Sequence, residues 1–102
     1  MPAYKITDVV NNALPGVMTV VEIASIKIIV VKKEKQVYAF RASCPHAGTM
    51  LTDGYIDAKN CVVCPTHFYK FDIASGKNVT GEGYRLKTYT TAEADGEWYV
   101  YV

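Results

Sequence analysis

The sequence predicts a small all-β protein, and three observations support this fold class. Valine, isoleucine, threonine and tyrosine dominate the chain, and these residue types favour strands. Turn signals recur at short intervals, as they do in sheets built from many short strands. No window carries an apolar period of 3.6 residues over three helical turns. We therefore expect a sandwich or a barrel formed by one domain of 102 residues.

The first half of the chain contains four predicted strands. They are residues 4–8, 17–23, 26–32 and 37–41. Pro15-Gly16 and the polar residues 33–36 supply turns between them. Residues 7–13 have room for at most a short helical turn.

The second half of the chain continues the same rhythm with shorter runs. Its predicted strands are residues 55–57, 61–63, 69–73, 85–90 and 97–101. Turns are expected at residues 58–60, at Ser75-Gly76 and at Asp95-Gly96, and the last of these closes a hairpin.

The nearly balanced charge excludes one broad class of function. The chain has 11 basic and 10 acidic residues and a formal charge of +1. A nucleic-acid footprint needs a basic excess on one face, so we expect no nucleic-acid partner. The most apolar window, residues 26–31, falls far short of the ~20 residues of a spanning helix, so no membrane span is expected. No signal peptide is visible, and the expected location is the cytoplasm.

One stretch departs from the strand rhythm. Residues 42–72 contain all three cysteines, both histidines and two of the four prolines, which predicts a subdomain inserted into the β base. Within it lie two matched segments, Cys44-Pro45-His46 and Cys64-Pro65-Thr66-His67, with seventeen residues between His46 and Cys64. A proline after each cysteine restrains the backbone, which suits loops that present side chains in a fixed arrangement.

Three interpretations of these segments compete. In the first, the cysteines are core residues and the histidines are ordinary loop residues, but this leaves the matched pattern unexplained. In the second, the segments form a structural Cys₂His₂ zinc site, although such sites usually place a cysteine pair before a histidine pair. In the third, they hold a Rieske [2Fe–2S] centre, in which two cysteines bind one iron and two histidines bind the other.

The order Cys-x-His, seventeen residues, Cys-x-x-His resembles the Rieske motif, including the proline after the second cysteine. The similarity extends over about the whole chain, through Gly48, Asp53-Gly54-Tyr55, Phe71-Asp72 and the closing hairpin. It implies a small antiparallel Rieske-like sandwich or barrel. A cluster-binding subdomain of two loops is then expected at about residues 42–72.

The resemblance also implies a ligand set for a [2Fe–2S] cluster. Cys44 and Cys64 would bind the inner iron, and His46 and His67 would bind the outer iron. Two thiolates and two neutral imidazoles leave an oxidised core without net charge. Adding an electron then takes less Coulomb work than with four thiolates, which places such centres at roughly −150 to +300 mV.

Four positions bear on where in that range the potential lies. High-potential respiratory relatives join the two loops by a disulfide and place serine and tyrosine hydroxyls against the cluster sulfurs. The resemblance puts Thr49 and Thr66 at the disulfide positions, and Tyr69 and Phe71 at the hydroxyl positions. Because fewer donors to sulfur stabilise the reduced cluster less, we expect a potential at the low end.

The expected function is that of a one-electron carrier rather than an enzyme with a small-molecule substrate. As the resemblance implies, it would accept electrons from a flavin-dependent reductase and pass them to a terminal oxygenase, both through transient contacts. The alternative is the small subunit of an assimilatory nitrite reductase, which this chain resembles in size. A structural zinc module without redox activity is the third class.

Two further residues attract attention. Phe68 stands where the Rieske family often has a glycine after the second histidine. It would either contact a partner or pack against Met50 or Leu51. Cys61 precedes Cys64 by three residues, and without a βαβ pattern around it we interpret it as a buried strand residue.

Overall fold

The computed structural model describes residues 2–46, 48–66 and 68–102. Its elements, in chain order, are β1 (Ala3–Lys5), α1 (Thr7–Asn12), β2 (Thr19–Ile23), β3 (Ile26–Lys33), β4 (Gln36–Arg41), a 3₁₀ turn (Leu51–Asp53), β5 (Tyr55–Ile56), β6 (Cys61–Val63), β7 (Lys70–Asp72), β8 (Thr88–Ala94) and β9 (Glu97–Tyr101). The all-β prediction is confirmed.

The described strands form two antiparallel sheets. The larger one has the order β1-β9-β8-β4-β3-β2, and the smaller one has the order β5-β6-β7. β4 joins the two hairpins of the larger sheet, because it pairs with β3 along most of its length and with β8 through Ala39 and Phe40. The smaller sheet is drawn wholly from the stretch that carries the cysteines and histidines.

The central strand β3 explains how two cores form in so short a chain. Ile28, Ile29, Val30 and Val31 are all fully buried. Ile29 and Val31 pack in a core that also contains Cys44 and Cys64. Ile28 and Val30 pack in the second core, because successive side chains of a strand point to opposite faces. A continuous apolar run is therefore needed where both faces of a strand are covered.

The N-terminal segment differs from the prediction of a strand over residues 4–8. The strand ends at Lys5, and α1 begins at Thr7. Ile6 and Val10, four residues apart, are both buried in the second core, and the N–H of Val10 donates to the carbonyl oxygen of Ile6 at 3.0 Å, as in a helical turn. At the other end of the chain β8 begins at Thr88, three residues later than predicted, and Arg85 forms only an isolated bridge with Lys77.

The remaining predicted strands are confirmed to within about two residues at each end. The hairpin of β5 and β6 pairs Tyr55 with Val63, as the turn at residues 58–60 indicated. No helix in the described part of the chain has the length and apolar character needed to cross a bilayer.

Candidate metal centre

The first loop, residues 44–49, is built around the backbone of Cys44. The N–H of Cys44 donates to the carbonyl oxygen of Thr49 at 2.7 Å. The N–H of Gly48 donates back to the carbonyl oxygen of Cys44 at 2.8 Å. Gly48 takes a φ of +69°, in the left-handed region that glycine adopts without strain. This confirms that the loop turns at Gly48.

The second loop, residues 64–69, repeats that main-chain arrangement. The N–H of Cys64 donates to the carbonyl oxygen of Tyr69 at 2.9 Å, and the N–H of Phe68 donates to the carbonyl oxygen of Cys64 at 2.9 Å. Phe68 has a φ of +61°, so it occupies the position that Gly48 occupies in the first loop. We call this shared pair of hydrogen bonds the loop frame.

Each loop is anchored to a sheet on either side. The first loop leaves β4 through Ala42, whose N–H donates to the carbonyl oxygen of Lys27 at 3.0 Å. After the loop, the chain returns through an isolated β-bridge between Ser43 and Met50. The second loop connects β6 and β7, which pair directly through Val63 and Lys70. The sheets therefore fix where each cysteine begins its loop.

A close backbone approach holds the segment between the loops against the second one. A Cβ atom built at Gly54 would lie 1.8 Å from the carbonyl oxygen of Val63. No side chain fits at that distance, so only glycine allows the turn before β5 to pass this close to Cys64.

The two cysteines that begin the loops are both buried. Cys44 is 2% exposed and Cys64 is 0% exposed. They belong to the same core, together with Leu51 and Phe71. Two thiols thus lie beneath the loops, in a largely apolar environment and out of contact with bulk water.

A side-chain hydrogen bond joins the two loops directly. The hydroxyl oxygens of Thr49 and Thr66 lie 2.6 Å apart. The same Thr49 accepts the hydrogen bond from Cys44 through its carbonyl, and Thr66 is two residues beyond Cys64. The positions that the resemblance assigns to a disulfide therefore meet, through hydroxyls in place of sulfurs.

His46 lies between two tyrosines. Its ring centroid is 4.3 Å from that of Tyr69, in the second loop, and 5.4 Å from that of Tyr84. The side chain of His46 is half-buried, and its Nδ1 atom is buried. The structure thus brings Cys44, Cys64 and His46 to the same end of the molecule. The fourth predicted ligand, His67, lies outside the described residues.

Tyr84 is a site residue that the sequence did not reveal. It is 41% exposed and extends from the segment at residues 78–84, far from either loop in sequence. Asn78 orders that segment, because its side-chain oxygen accepts from the N–H groups of Glu82 and Gly83. Its amide nitrogen donates to the carbonyl oxygen of Lys70 at 3.1 Å.

Cys61 and Phe68 are placed very differently. Cys61 opens β6 and is 6% exposed, which confirms a buried strand residue, and burial raises the pKa of its thiol. Phe68 is 66% exposed, so packing against Met50 or Leu51 does not account for it.

The donor set at this end of the molecule suits a metal centre. Thiolate sulfur prefers soft sites such as iron–sulfur clusters and zinc, and imidazole binds both metals. One cysteine from each loop lies in the same core, which suits a group held from two sides. The chemistry of the described residues therefore fits a [2Fe–2S] cluster.

Comparison with known proteins distinguishes between an iron–sulfur cluster and zinc at this site. Residues 2–90 match the family model of the Rieske [2Fe-2S] domain. The chain is 22% identical over 80 residues to the ferredoxin component of the alkene monooxygenase system of Xanthobacter autotrophicus strain Py2. This match covers 78% of the chain and 66% of that relative, so the chain spans slightly less than two thirds of its length.

Two solved structures are similar over most of the chain. The ferredoxin of carbazole 1,9a-dioxygenase from Nocardioides aromaticivorans IC177 is 26% identical, with 89% of each chain covered and a TM-score of 0.81. A protein described as the small subunit of a nitrite reductase (NADPH) is 18% identical, with 100% of each chain covered and a TM-score of 0.83. At that identity, the second similarity is one of fold alone.

Proposed function

The chain belongs to the Rieske [2Fe–2S] domain family, whose members bind a [2Fe–2S] cluster, and from this premise we propose that it is a one-electron carrier of an oxygenase system. The observation that carries the proposal is the repeated loop frame, with a buried cysteine at the start of each loop. When bound, the cluster supplies reversible transfer of one electron.

The proposed ligands are Cys44 and Cys64 on the inner iron, and His46 and His67 on the outer iron. The burial of both thiols supports the first pair. Contacts with Tyr69 and Tyr84 orient the His46 ring at the end of the molecule where Tyr84 is exposed. A histidine ligand near the surface shortens the path of an electron to a partner.

The proposed domain organisation is one domain over residues 1–102, with a cluster-binding subdomain at about residues 42–72. Its support is the separate sheet of β5, β6 and β7, which has its own ladder of hydrogen bonds. The larger sheet then serves as the base for the first loop, and the smaller sheet carries the second loop.

The proposed partners are a flavin-dependent reductase as donor and a terminal oxygenase as acceptor. The names of the alkene monooxygenase and carbazole dioxygenase ferredoxins support an oxygenase system. Phe68 would contribute an apolar contact to such transient complexes, because its side chain is exposed in the second loop. The cytoplasm remains the expected location.

A role as the small subunit of a nitrite reductase is the second candidate. Its support is the fold similarity over the full chain. The two candidates differ in their electron acceptor. Reduced protein should support turnover of an oxygenase encoded beside its gene if the first is right, and nitrite reduction by a large reductase subunit if the second is right.

The first experiment tests the cluster and its ligands. The purified, iron-replete protein should be coloured, contain two irons and two sulfides per chain, and lose visible absorbance when dithionite reduces it. Replacing His46 by alanine should abolish or shift the EPR spectrum of the reduced state. A colourless protein with one bound zinc would overturn the proposal, and an unchanged spectrum would remove His46 from the ligand set.

The reduction potential provides a second test. Phe71 is fully buried beside Cys64 and has no hydroxyl to donate, and Tyr69 contacts His46. We expect a midpoint at the low end of the roughly −150 to +300 mV range. Direct voltammetry near neutral pH measures it, and a midpoint clearly above zero would contradict the argument from Thr49, Thr66 and Phe71.

A further inference from the structure

A cleft of about 450 Å³ beside the first loop has a strongly basic lining. Three cationic residues line it, namely Arg41, Arg85 and Lys87, and residues of the first loop complete it, including Cys44, Pro45 and Gly48. All three cationic residues are exposed. No carboxylate is among the lining residues.

The three cations of this basic cleft are also separate from the ion pairs of the protein. The two salt bridges within the described residues join Lys5 to Glu97 and Lys70 to Asp57. Although the formal charge of the whole chain is only +1, positive charge is therefore in excess at the basic cleft. An exposed cluster of like charges raises the local concentration of anionic groups and speeds their association.

The positions of the cations are partly fixed by the fold. Arg41 ends β4, and its N–H donates to the carbonyl oxygen of Lys87 at 2.9 Å, which keeps these two backbones side by side. The guanidinium of Arg85 donates to the carbonyl oxygen of Ser75 at 3.0 Å. The lysine ammonium lies 5.7 Å from the ring centroid of Tyr89. Less side-chain freedom is therefore lost when an anionic group binds.

We propose that the basic cleft is a docking site for carboxylate side chains on a redox partner protein, an inference that rests on the proposed electron-carrier function. The cleft shares Cys44, Pro45 and Gly48 with the first loop, so a partner seated there lies against the loop of a proposed ligand. Charge pairs of this kind direct the approach and set the orientation of a transient complex.

The test compares two double variants of the holoprotein that alter the net charge equally. Arg41→Glu with Lys87→Glu reverses two charges at the cleft. Lys32→Glu with Lys35→Glu reverses two charges around the β3–β4 turn, which is at the opposite end of β4 from Arg41. Reduced protein is mixed with ferricyanide, an anion, or with hexaammineruthenium(III), a cation. Each oxidant takes one electron, and the protein is oxidised by one electron.

The measured quantity is the ratio of the two rate constants. Because both oxidants draw on the same centre, a change in its potential moves both rate constants in the same direction and largely cancels in the ratio. We expect the cleft variant to lower the ferricyanide-to-ruthenium ratio about tenfold, and the control variant to lower it much less. The difference should vanish at about 1 M salt, where the Debye length is about 3 Å.

Equal ratios in the two variants would overturn the docking site, because net charge alone would then explain the rates. The neutral pair Arg41→Gln with Lys87→Gln should give an intermediate ratio and guards against misfolding of the reversed pair. If the protein has no reducible centre, the proposed function fails instead. Binding of a fluorescein-labelled hexaglutamate peptide, followed by anisotropy, then tests the cleft alone, and equal binding by both double variants would overturn it.

Discussion

The first and second loops have the same main-chain hydrogen bonds but differ in the residue that adopts the left-handed conformation. In the first loop it is Gly48, with nothing near the space that a Cβ atom would occupy. In the second loop it is Phe68, whose side chain is exposed. A left-handed conformation strains a residue with a Cβ by about 1–2 kcal/mol, and a bulky residue there is an outlier.

The loop frame therefore does not depend on glycine. The cysteines, the prolines that follow them and the main-chain bonds impose the conformation, even on an aromatic residue. Because Phe68 is exposed, packing within the chain does not offset the strain. We therefore attribute the aromatic side chain to the partner contact proposed above. The first loop then has a structural role, and the second loop has the same structural role with an added contact to the partner.

The largest expected effect comes from removing the thiols on which the loops are built. Cys44→Ser and Cys64→Ser should each abolish the visible absorbance, because serine is a poor ligand for iron in a site that favours soft donors. Cys61→Ser is the matched control and should retain both iron and colour. Absorbance and iron content per chain measure all three. Retention of the cluster in either loop variant would show that the two loop cysteines are not equivalent.

Exchanging the residues at the left-handed positions should give the next largest effect. Gly48→Phe has space for a side chain but imposes strain of about 1–2 kcal/mol, so the temperature midpoint for loss of absorbance should fall by roughly 4–8 °C per kcal/mol. Phe68→Gly should raise the midpoint slightly, because relief of strain is partly offset by the greater freedom of glycine in the unfolded chain. A lower midpoint for Gly48→Phe together with a higher one for Phe68→Gly would support the difference in strain between the loops. A large fall of the midpoint for Phe68→Gly would refute it.

A smaller effect should come from the hydrogen bond that joins the loops. Thr49→Val and Thr66→Val each remove one hydroxyl, and a hydrogen bond contributes about 1 kcal/mol, which corresponds to roughly fivefold in a rate constant. We expect each variant to lose its absorbance about fivefold faster at fixed denaturant concentration. The double variant should be no worse than either single one, because the same bond is lost. Serine at both positions should restore the wild-type rate, and additive losses would show that the hydroxyls act separately.

The smallest effect concerns the turn that leads into the second loop. The carboxylate of Asp57 accepts from the N–H groups of Cys61 and Lys59 and pairs with Lys70, and these contacts lower its pKa below the usual value of an aspartate. Its stabilising contribution is therefore complete above about pH 5 and is lost as the pH falls through its lowered pKa. The protection factors of the Lys59 and Cys61 amides, taken relative to the intrinsic exchange rate at each pH, should fall in that acid range, whereas Asp57→Asn should show less pH dependence. An equal fall of the protection factors in both proteins would exclude Asp57 as the cause.

Much of the fold could be predicted because its signals are local. Apolar β-branched runs and short turn sequences located the strands, and β3 lies within one residue of its predicted bounds. That the side chains of β3 alternate between two cores could not be predicted, since a continuous apolar run looks the same whatever covers each face. The helix α1 has only six residues, too few to display a helical period.

The candidate site was predictable only where its residues are neighbours in sequence. Cys44 and Cys64 are each followed by a histidine within three residues, so each motif can be recognised within a single loop. Tyr84 reaches His46 from a distant segment, and the basic cleft joins Arg41 to residues more than forty positions later. Arg41 and Lys87 meet beside the pairing of β4 with β8, and Asn78 ties the segment that carries Tyr84 to Lys70. The backbone strain at Phe68 could not be predicted either, because it depends on the positive φ of that residue, which the sequence does not show.

For protein engineering, the loop frame separates the shape of a binding loop from its chemistry. Its hydrogen bonds use only main-chain atoms of the first, fifth and sixth residues of each loop. The side chains between them can thus be redesigned without removing the bonds that hold the loop. A six-residue cassette with a cysteine first, a proline second and a turn-compatible fifth residue could be grafted between other antiparallel strands, and its third and fourth positions would remain free for the choice of donor atoms.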